Sequence, residues 1–326
     1  MPQNKYRPYY RGKPIAKLAS LAKSLNVDEQ DLLKLASDTK IYWRRGKTLK
    51  KKDGTPRLTH NSIGPLKNIQ KRIKSVFLAK VEYPSYILGG ISSDINTKRG
   101  YIENASLHKN KKILFSEDVK DFFPSTTDNV VHSIWTGVFN FHPDVADVLT
   151  KLTTYNNCLP QGWVTSSHLA NLALWKYEPR LVEELEKNGM VYSRFVDDVV
   201  ISSERYLGNK HKTIIVGKIV NMFSRCGYKA KRTKHTIATK CGSSFDENRK
   251  MRVGNLNVGS RRVTVPKTKR QSIRAAVFHC ERYTEAERYT YSYQRQWSTA
   301  SGLVASIKSL HPVEAEKLRN RLNLCK

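Results

Sequence analysis

Two adjacent aspartates, Asp197 and Asp198, sit inside Val191-Tyr-Ser-Arg-Phe-Val-Asp-Asp-Val-Val-Ile-Ser-Ser203, with apolar residues on both sides. Burying unpaired charge is costly, so neighbouring carboxylates need cations or a wet surface. The β-forming residues flanking Val-Asp-Asp predict a tight hairpin with the carboxylates at its tip. Such a tip can hold a divalent metal; an ordinary turn is the other reading, because Asp is common in turns. A third acid, Asp118, ends the expected strand Ile113-Leu-Phe-Ser-Glu-Asp118. Set beside the hairpin tip, that strand end gathers the carboxylates in one cleft. Mg²⁺ takes a few carboxylates and completes its octahedron with water and substrate phosphates. Two such ions clamp an attacking hydroxyl and a leaving phosphate for in-line displacement. Asp121, three residues further on, reads as a cap or a solvent-facing side chain. Whether the two acidic segments meet is left open by the residues alone.

Between the acidic elements lies Leu159-Pro-Gln-Gly-Trp163, where Pro and Gly bracket a turn into a helix from Thr165. A Gln beside a Gly lets amide and backbone approach a flat ligand; a plain loop is the alternative. The elements that must position these residues follow from periodicity. Residues 1–13 form a basic, aromatic arm, mobile or in contact with RNA. Pro14 to Ala36 predicts two short helices, the second capped by Asp28, as a helix-turn-helix or a small packed pair. Asp53-Gly54 is a hairpin signal in the basic stretch Lys40 to Arg57. Leu66 to Phe77 is an amphipathic helix, Asp128 starts another, and Thr165 to Leu185 reads as one long helix. A helix at 213–226, two short strands around Gly254 and Gly259, and a helical basic C-terminus complete the chain. The order predicts an α+β domain, a sheet with helices on one face.

The chain has 326 residues, enough for one large domain or two to three small ones. Its 58 Lys and Arg against 28 Asp and Glu give a net charge of +30. That excess points to a polyanion, most simply nucleic acid, bound through phosphate neutralisation. An anionic membrane surface and a ribosomal-type structural role are the alternatives. No stretch approaches the roughly 20 apolar residues of a membrane helix, and Met1-Pro-Gln-Asn-Lys-Tyr-Arg7 lacks the apolar core of a signal peptide. Five scattered cysteines without Cys-x-x-Cys spacing read as reduced thiols of a cytoplasmic protein.

Taken together these segments resemble the reverse transcriptases. The family's first polymerase motif, Asp with an aromatic residue five positions on, is matched by Asp118-Val-Lys-Asp-Phe-Phe123. Its second is matched by Leu159-Pro-Gln-Gly-Trp-Val-Thr-Ser-Ser-His-Leu-Ala-Asn171, and its third, aromatic-x-Asp-Asp, by Phe195-Val-Asp-Asp198. Lys234 resembles the lysine that protonates the pyrophosphate leaving group. Gly254-Asn-Leu256 resembles the primer grip, and Arg57 the fingers residue that meets the triphosphate. The motifs keep the family's order across roughly residues 57–260. A narrower resemblance is to bacterial retron enzymes, through Asn104-Ala-Ser-Leu-His108 and Asp121-Phe-Phe-Pro-Ser125. Three positions depart from that pattern: Phe195-Val196 replaces Tyr-Ala, His168 replaces a Pro, and Val253-Gly-Asn255 stands where Val-Thr-Gly is usual.

The resemblance implies a right-hand polymerase: an N-terminal helical, basic segment at 1–45, fingers at 46–110, a palm at 111–250 with a fingers insertion around 125–170, and a primer grip with basic thumb at 251–326. It implies two Mg²⁺ ions, with Mn²⁺ as an alternative, held by Asp118, Asp197, Asp198 and the carbonyl of Val119. Lys234 completes the catalytic set. Phe123 excludes a ribose 2′-OH, Gln161 and Gly162 contact the incoming nucleotide, and Arg57 binds its phosphates. Asn104, His108, Gly254, Arg261, Arg262, Lys267, Lys269, Arg270 and Arg274 are the expected nucleic-acid contacts. The implied partners are deoxynucleotides, a cognate structured noncoding RNA, its DNA copy and a separate effector protein. The implied activity copies part of that RNA from a 2′-OH into branched DNA for anti-phage defence. A defence-associated or intron-derived reverse transcriptase and a non-catalytic RNA-binding scaffold are the competing readings.

Overall fold

The computed structural model describes residues 4–50, 54, 56–240 and 250–326. The described part of the N-terminal arm is docked. Strand β1 (Tyr9–Tyr10) pairs antiparallel with β6 (Val81–Glu82), and the buried Tyr10 ring packs on Phe139 at 4.6 Å between centroids. Aromatic burial therefore replaces the mobility expected of the arm, while Lys5, Arg7, Arg11 and Lys13 stay exposed. Helices α1 (Leu18–Ser24) and α2 (Glu29–Ser37) follow. The Asp28 carboxylate caps α2, accepting from the Gln30 amide at 2.8 Å, as the sequence predicts.

Two short ribbons come next: β2 (Trp43–Arg45) with β5 (His60–Ser62), and β3 (Leu49–Lys50) with β4 (Pro56–Arg57). Asp53, where a hairpin turn is expected, lies outside the described residues. Helix α3 (Gly64–Val76) buries Leu66, Ile69 and Ile73, the stripe read from the sequence. After α4 (Tyr101–Leu107), the central sheet has the order β10-β7-β9-β8 and is antiparallel throughout. Its strands are β7 (Ile113–Asp118), β8 (Met190–Phe195), β9 (Asp198–Ser203) and β10 (Thr236–Thr239). Helices α5 (Phe122–Ser125), α6 (Asp128–Gly137), α7 (Pro143–Thr153), α8 (Ser166–Leu172) and α9 (Glu178–Lys187) lie between β7 and β8. Helix α10 (Asn209–Arg225) precedes β10.

The side-chain alternation of the strands divides the sheet between two cores. Phe115, Ile201 and Tyr192 face the larger core of the molecule. Leu114, Val200 and Ala238 face a second core shared with Ala105 of α4, Val253, Leu256 and Ile273. The sheet is thus covered on both faces, not on one as the element order predicts. The expected long helix from Thr165 is two helices, α8 and α9, with turns over 173–177. Pro179 accounts for the break, since it has no N–H to donate and its ring clashes with the carbonyl four residues back.

The C-terminal part opens with β11 (Arg252–Val253) and β12 (Leu256–Asn257), turning at Gly254 with φ +56°. Gly259 lies in the loop after β12, whose sides are bridged antiparallel by Asn257 and Thr264. Helices α11 (Lys267–Glu281), α12 (Glu285–Arg288), α13 (Tyr291–Ile307) and α14 (Pro312–Asn323) then pack through Ile273, Val277, Val304, Ile307, Leu318 and Leu322. Among the described residues Cys158, Cys226, Cys280 and Cys325 are free thiols, and no helix is long and apolar enough to cross a membrane. Cys241 lies outside the described residues.

Candidate active site

Strand β7 ends at Asp118 and β9 begins at Asp198, and the register sets these two residues directly opposite each other. Val196 and Asp197 form the two-residue turn between β8 and β9. One oxygen from each of Asp118, Asp197 and Asp198 lies within 4.8 Å of the others. Sequence separation had left open whether the two acidic segments meet; antiparallel pairing brings them together. Like charges opposed across a sheet destabilise it, so a fold that keeps three here departs from its own stability for a reason of chemistry.

The electrostatics agree. Loss of hydration, a hydrogen bond with Asp198 and the charge of Asp197 push the Asp118 carboxyl up to about 7, against the pull of Lys234. Lys234 hydrogen-bonds Asp118, and its Nζ lies 3.5 Å from Asp198. Partial burial works against the ammonium, but Asp118, Asp198 and Asp197 outweigh it and raise its pKa. Three carboxylates whose mutual repulsion one lysine offsets only in part are a hard-cation donor set. The residues present therefore fit a divalent metal. Val119 closes the site from below: it is buried, its amide donates to the Asp197 carbonyl at 3.2 Å, and its backbone follows Asp118 into the same cleft.

The acids floor a cleft of about 1140 Å³. Phe123 reaches it because Asp121 adopts a left-handed φ of +45°, which turns the chain sharply into α5. Phe122 then points into the core against Tyr228, at 5.2 Å between centroids, while Phe123 lines the cleft. Gln161 and Gly254 also line it. Gly162 has a structural reason to be glycine. A Cβ there would lie 2.7 Å from the His60 carbonyl oxygen, and φ is +111°. The close approach that demands glycine is to strand β5. The His60 amide donates to the Gln161 carbonyl at 2.8 Å, so this contact fixes the Gln161 backbone at the cleft wall. The Arg57 backbone pairs with Leu49; its side chain lies outside the described residues.

Asn104 and His108 are a correction. Both were expected to touch nucleic acid, and both are buried. His108 Nδ1 is 2.7 Å from Ser202 Oγ and Nε2 is 2.7 Å from Ser193 Oγ. Ser193 donates to Asn104 Oδ1 at 2.6 Å. With its proton committed to Asn104, Ser193 accepts from Nε2–H, and Ser202 then donates to Nδ1. Burial and the charge of Lys111 lower the imidazole to about 3, so the ring is neutral. The motif ties α4 to strands β8 and β9 of the acidic hairpin. We expect His108→Leu, which strips the buried Ser202 hydroxyl of its acceptor and Ser193 of a donor while the Ser193–Asn104 bond remains, to cost about 1–3 kcal/mol. A thermal melt beside an RNA titration checks this; RNA affinity lost from an undamaged fold would restore direct contact.

Of the C-terminal cations, Arg261, Arg262, Lys267 and Lys269 are exposed. Arg270 and Arg274 both bind Glu314, at 2.8 Å and 2.7 Å. Sequence reasoning missed Glu117, which is buried beside Asp118 and hydrogen-bonded to His235 Nδ1. Its signal was an acid on the apolar parity of Ile113 and Phe115. Arg194 and Glu178, buried together, gave no local signal at all.

Residues 49–274 match the family described as Reverse transcriptase (RNA-dependent DNA polymerase). The chain is 32% identical over 313 residues to the Retron Se72 reverse transcriptase of Salmonella heidelberg (strain 579083-10), across 96% of this chain and 80% of that one. It is 28% identical over 208 residues to the Retron Ec48 reverse transcriptase of Escherichia coli, across 62% of this chain and 51% of that one. Among solved structures, apo telomerase of Candida tropicalis, truncated from its C-terminal domain, aligns at a TM-score of 0.41 and 10% identity, covering 74% of this chain and 61% of that one.

Proposed function

Since the chain belongs to the reverse transcriptase family, as an RNA-directed DNA polymerase of the retron type, we propose that it copies part of a cognate structured RNA by two-metal nucleotidyl transfer, starting from a 2′-OH of that RNA. The observation that carries this reading is the convergence of Asp118, Asp197 and Asp198 on the floor of a cleft that also presents Phe123, Gln161 and Lys234. Two divalent ions there, Mg²⁺ with Mn²⁺ as an alternative, supply activation of the priming hydroxyl and neutralisation of triphosphate charge.

The chain's own residues do the rest. Asp118 and Asp197 hold the ions, with Asp198 and the Val119 carbonyl as further ligands. Lys234, kept protonated by its acidic neighbours, gives its Nζ proton to the departing pyrophosphate. Phe123 lies under the sugar and excludes a 2′-OH by contact. The Gln161 side chain meets the incoming nucleotide, and Arg57 its phosphates. Residues 46–110 act as fingers, 111–250 as palm and 251–326 as primer grip and thumb. Exposed Arg261, Arg262, Lys267 and Lys269 suit phosphates of structured RNA. The product is a branched RNA–DNA kept on the enzyme, used with a separate effector in anti-phage defence.

The test is the nucleic acid that copurifies. DNA joined to RNA through a bond cleaved by a 2′,5′-debranching enzyme is the expected result. Unbranched DNA from an active enzyme would assign a different priming route. No extension of any primer–template would leave an RNA-binding scaffold.

A further inference from the structure

Seven non-glycine residues among those described have φ in the left-handed region: five Asn, Asp121, and Val196 at +62°. Asn and Asp tolerate that conformation, but for a β-branched residue it is an outlier. Val196 opens the hairpin turn, where a two-residue loop needs a primed turn with positive φ and glycine is the usual choice. The strain therefore sits one bond before Asp197. Such a conformation persists only where its surroundings over-determine it.

What surrounds it is a saturated guanidinium. Arg194 is completely buried. Its Nη1 donates to the Val196 carbonyl at 2.9 Å and to Asn171 Oδ1 at 3.3 Å. Nη2 donates to the Asn171 carbonyl at 2.8 Å and to Glu178 Oε2 at 3.0 Å, and Nε to Glu178 Oε1. These bonds use all five donors of the side chain. Glu178, also buried, accepts from Tyr192 Oη at 2.7 Å. Asn171 Nδ2 donates to the Gly89 carbonyl at 2.8 Å. Two glycines clear the space: a Cβ on Gly89 would lie 2.7 Å from the Phe195 ring, and one on Gly90 3.2 Å from Val196 Cγ2. A buried ion pair is by itself weak support for stability. This one instead aims a donor at the carbonyl of the strained residue.

We propose that Arg194, itself fixed by Glu178 and Asn171, is a positioning residue that holds the strained Val196 turn so that Asp197 and Asp198 face the metal ions. The proposal rests on the metal reading above, and its test separates the two. Mn²⁺ binding to the full chain without substrate is followed by the paramagnetic resonance of free Mn²⁺, for wild type, Arg194→Lys, Val196→Gly, the double variant and Asp118→Asn. Arg194→Lys keeps a cation beside Glu178 but loses the planar fork. We expect it to stay folded by circular dichroism and to weaken Mn²⁺ binding about tenfold. Val196→Gly removes the strain, so it binds like wild type and, in the double variant, restores most of the lost affinity. A merely structural Arg194 predicts no rescue. Tight binding by Arg194→Lys, or a double variant as weak as Arg194→Lys, overturns the proposal alone. Equal binding by wild type and Asp118→Asn overturns the metal site and the proposal with it. Should Arg194→Lys unfold, Asn171→Ser leaves the Arg194–Glu178 pair in place and carries the same expectation of loss and rescue by Val196→Gly.

Discussion

Asp118→Asn is expected to abolish DNA synthesis while making the metal-free protein more stable above neutral pH. The change is nearly isosteric and removes one of the opposed carboxylates at the sheet end. Loss of several kcal/mol of charge stabilisation corresponds to a fall of about 10³-fold in rate. The stability effect has the opposite sign. The folded-state carboxyl titrates near 7, raised from 3.8. Between those values the folded chain keeps a proton that the unfolded chain has lost, so this group's contribution to stability falls as pH rises through that window. At pH 8 the whole penalty is present. Asparagine removes it, a gain of about 1–3 kcal/mol and a few degrees in Tm. At pH 4 the two proteins should melt alike. Thermal melts in chelator across pH 4–8, beside primer extension on a homopolymer template, measure both. A divalent cation should then raise the Tm of wild type and not of the variant, because binding to the folded state alone is stabilising. A variant that extends primers at the wild-type rate sinks the site assignment; one that melts lower at pH 8 sinks the electrostatic account.

Phe123→Ala is expected to admit ribonucleotides. The ring lines the cleft on α5, one residue after the buried Phe122 and five after Asp118. It packs edge-on to Phe122, at 6.1 Å between centroids and 70° between planes. In the gate proposed above, that contact would hold the ring where a 2′-OH meets it. Truncation to Ala opens the space. A gain or loss of contact of this kind is worth about 1–3 kcal/mol, so the preference for deoxynucleotides should fall about 10- to 200-fold. Deoxynucleotide kcat/KM should change far less. Steady-state incorporation of matched dNTP and NTP pairs reads the ratio directly, and an unchanged ratio would reject Phe123 as the gate.

Much of the site was legible because its signals are local. A turn between two β-forming runs marked Asp197 and Asp198, and a strand ending in Asp118 marked the third acid. The helix cap at Asp28 and the stripe Leu66, Ile69, Ile73 also follow from spacing along the chain. The errors have a common origin. Asn104 and His108 were assigned to nucleic acid through the family resemblance, and nothing local corrected this because the partners Ser193 and Ser202 are 85 and 94 residues from His108. The crowding of Gly162 by the strand at His60 was equally invisible, since that strand is remote in sequence. The helix from Thr165 read as continuous because apolar periodicity runs through a break that Pro179 enforces.

The sequence by itself determined the candidate side chains: the acids and an excess of cations suited to nucleic acid from local pattern, Phe123 and Lys234 through the family resemblance. Periodicity and turn chemistry act over a few residues, so they survive in a one-dimensional reading. Only the tertiary structure decided how those groups are held. Strand register set Asp118 opposite Asp198, Lys234 came to them across 116 residues, and buried Arg194 found the carbonyl of Val196. A buried polar group must be satisfied, but which partner satisfies it depends on segments that meet only when the chain has folded.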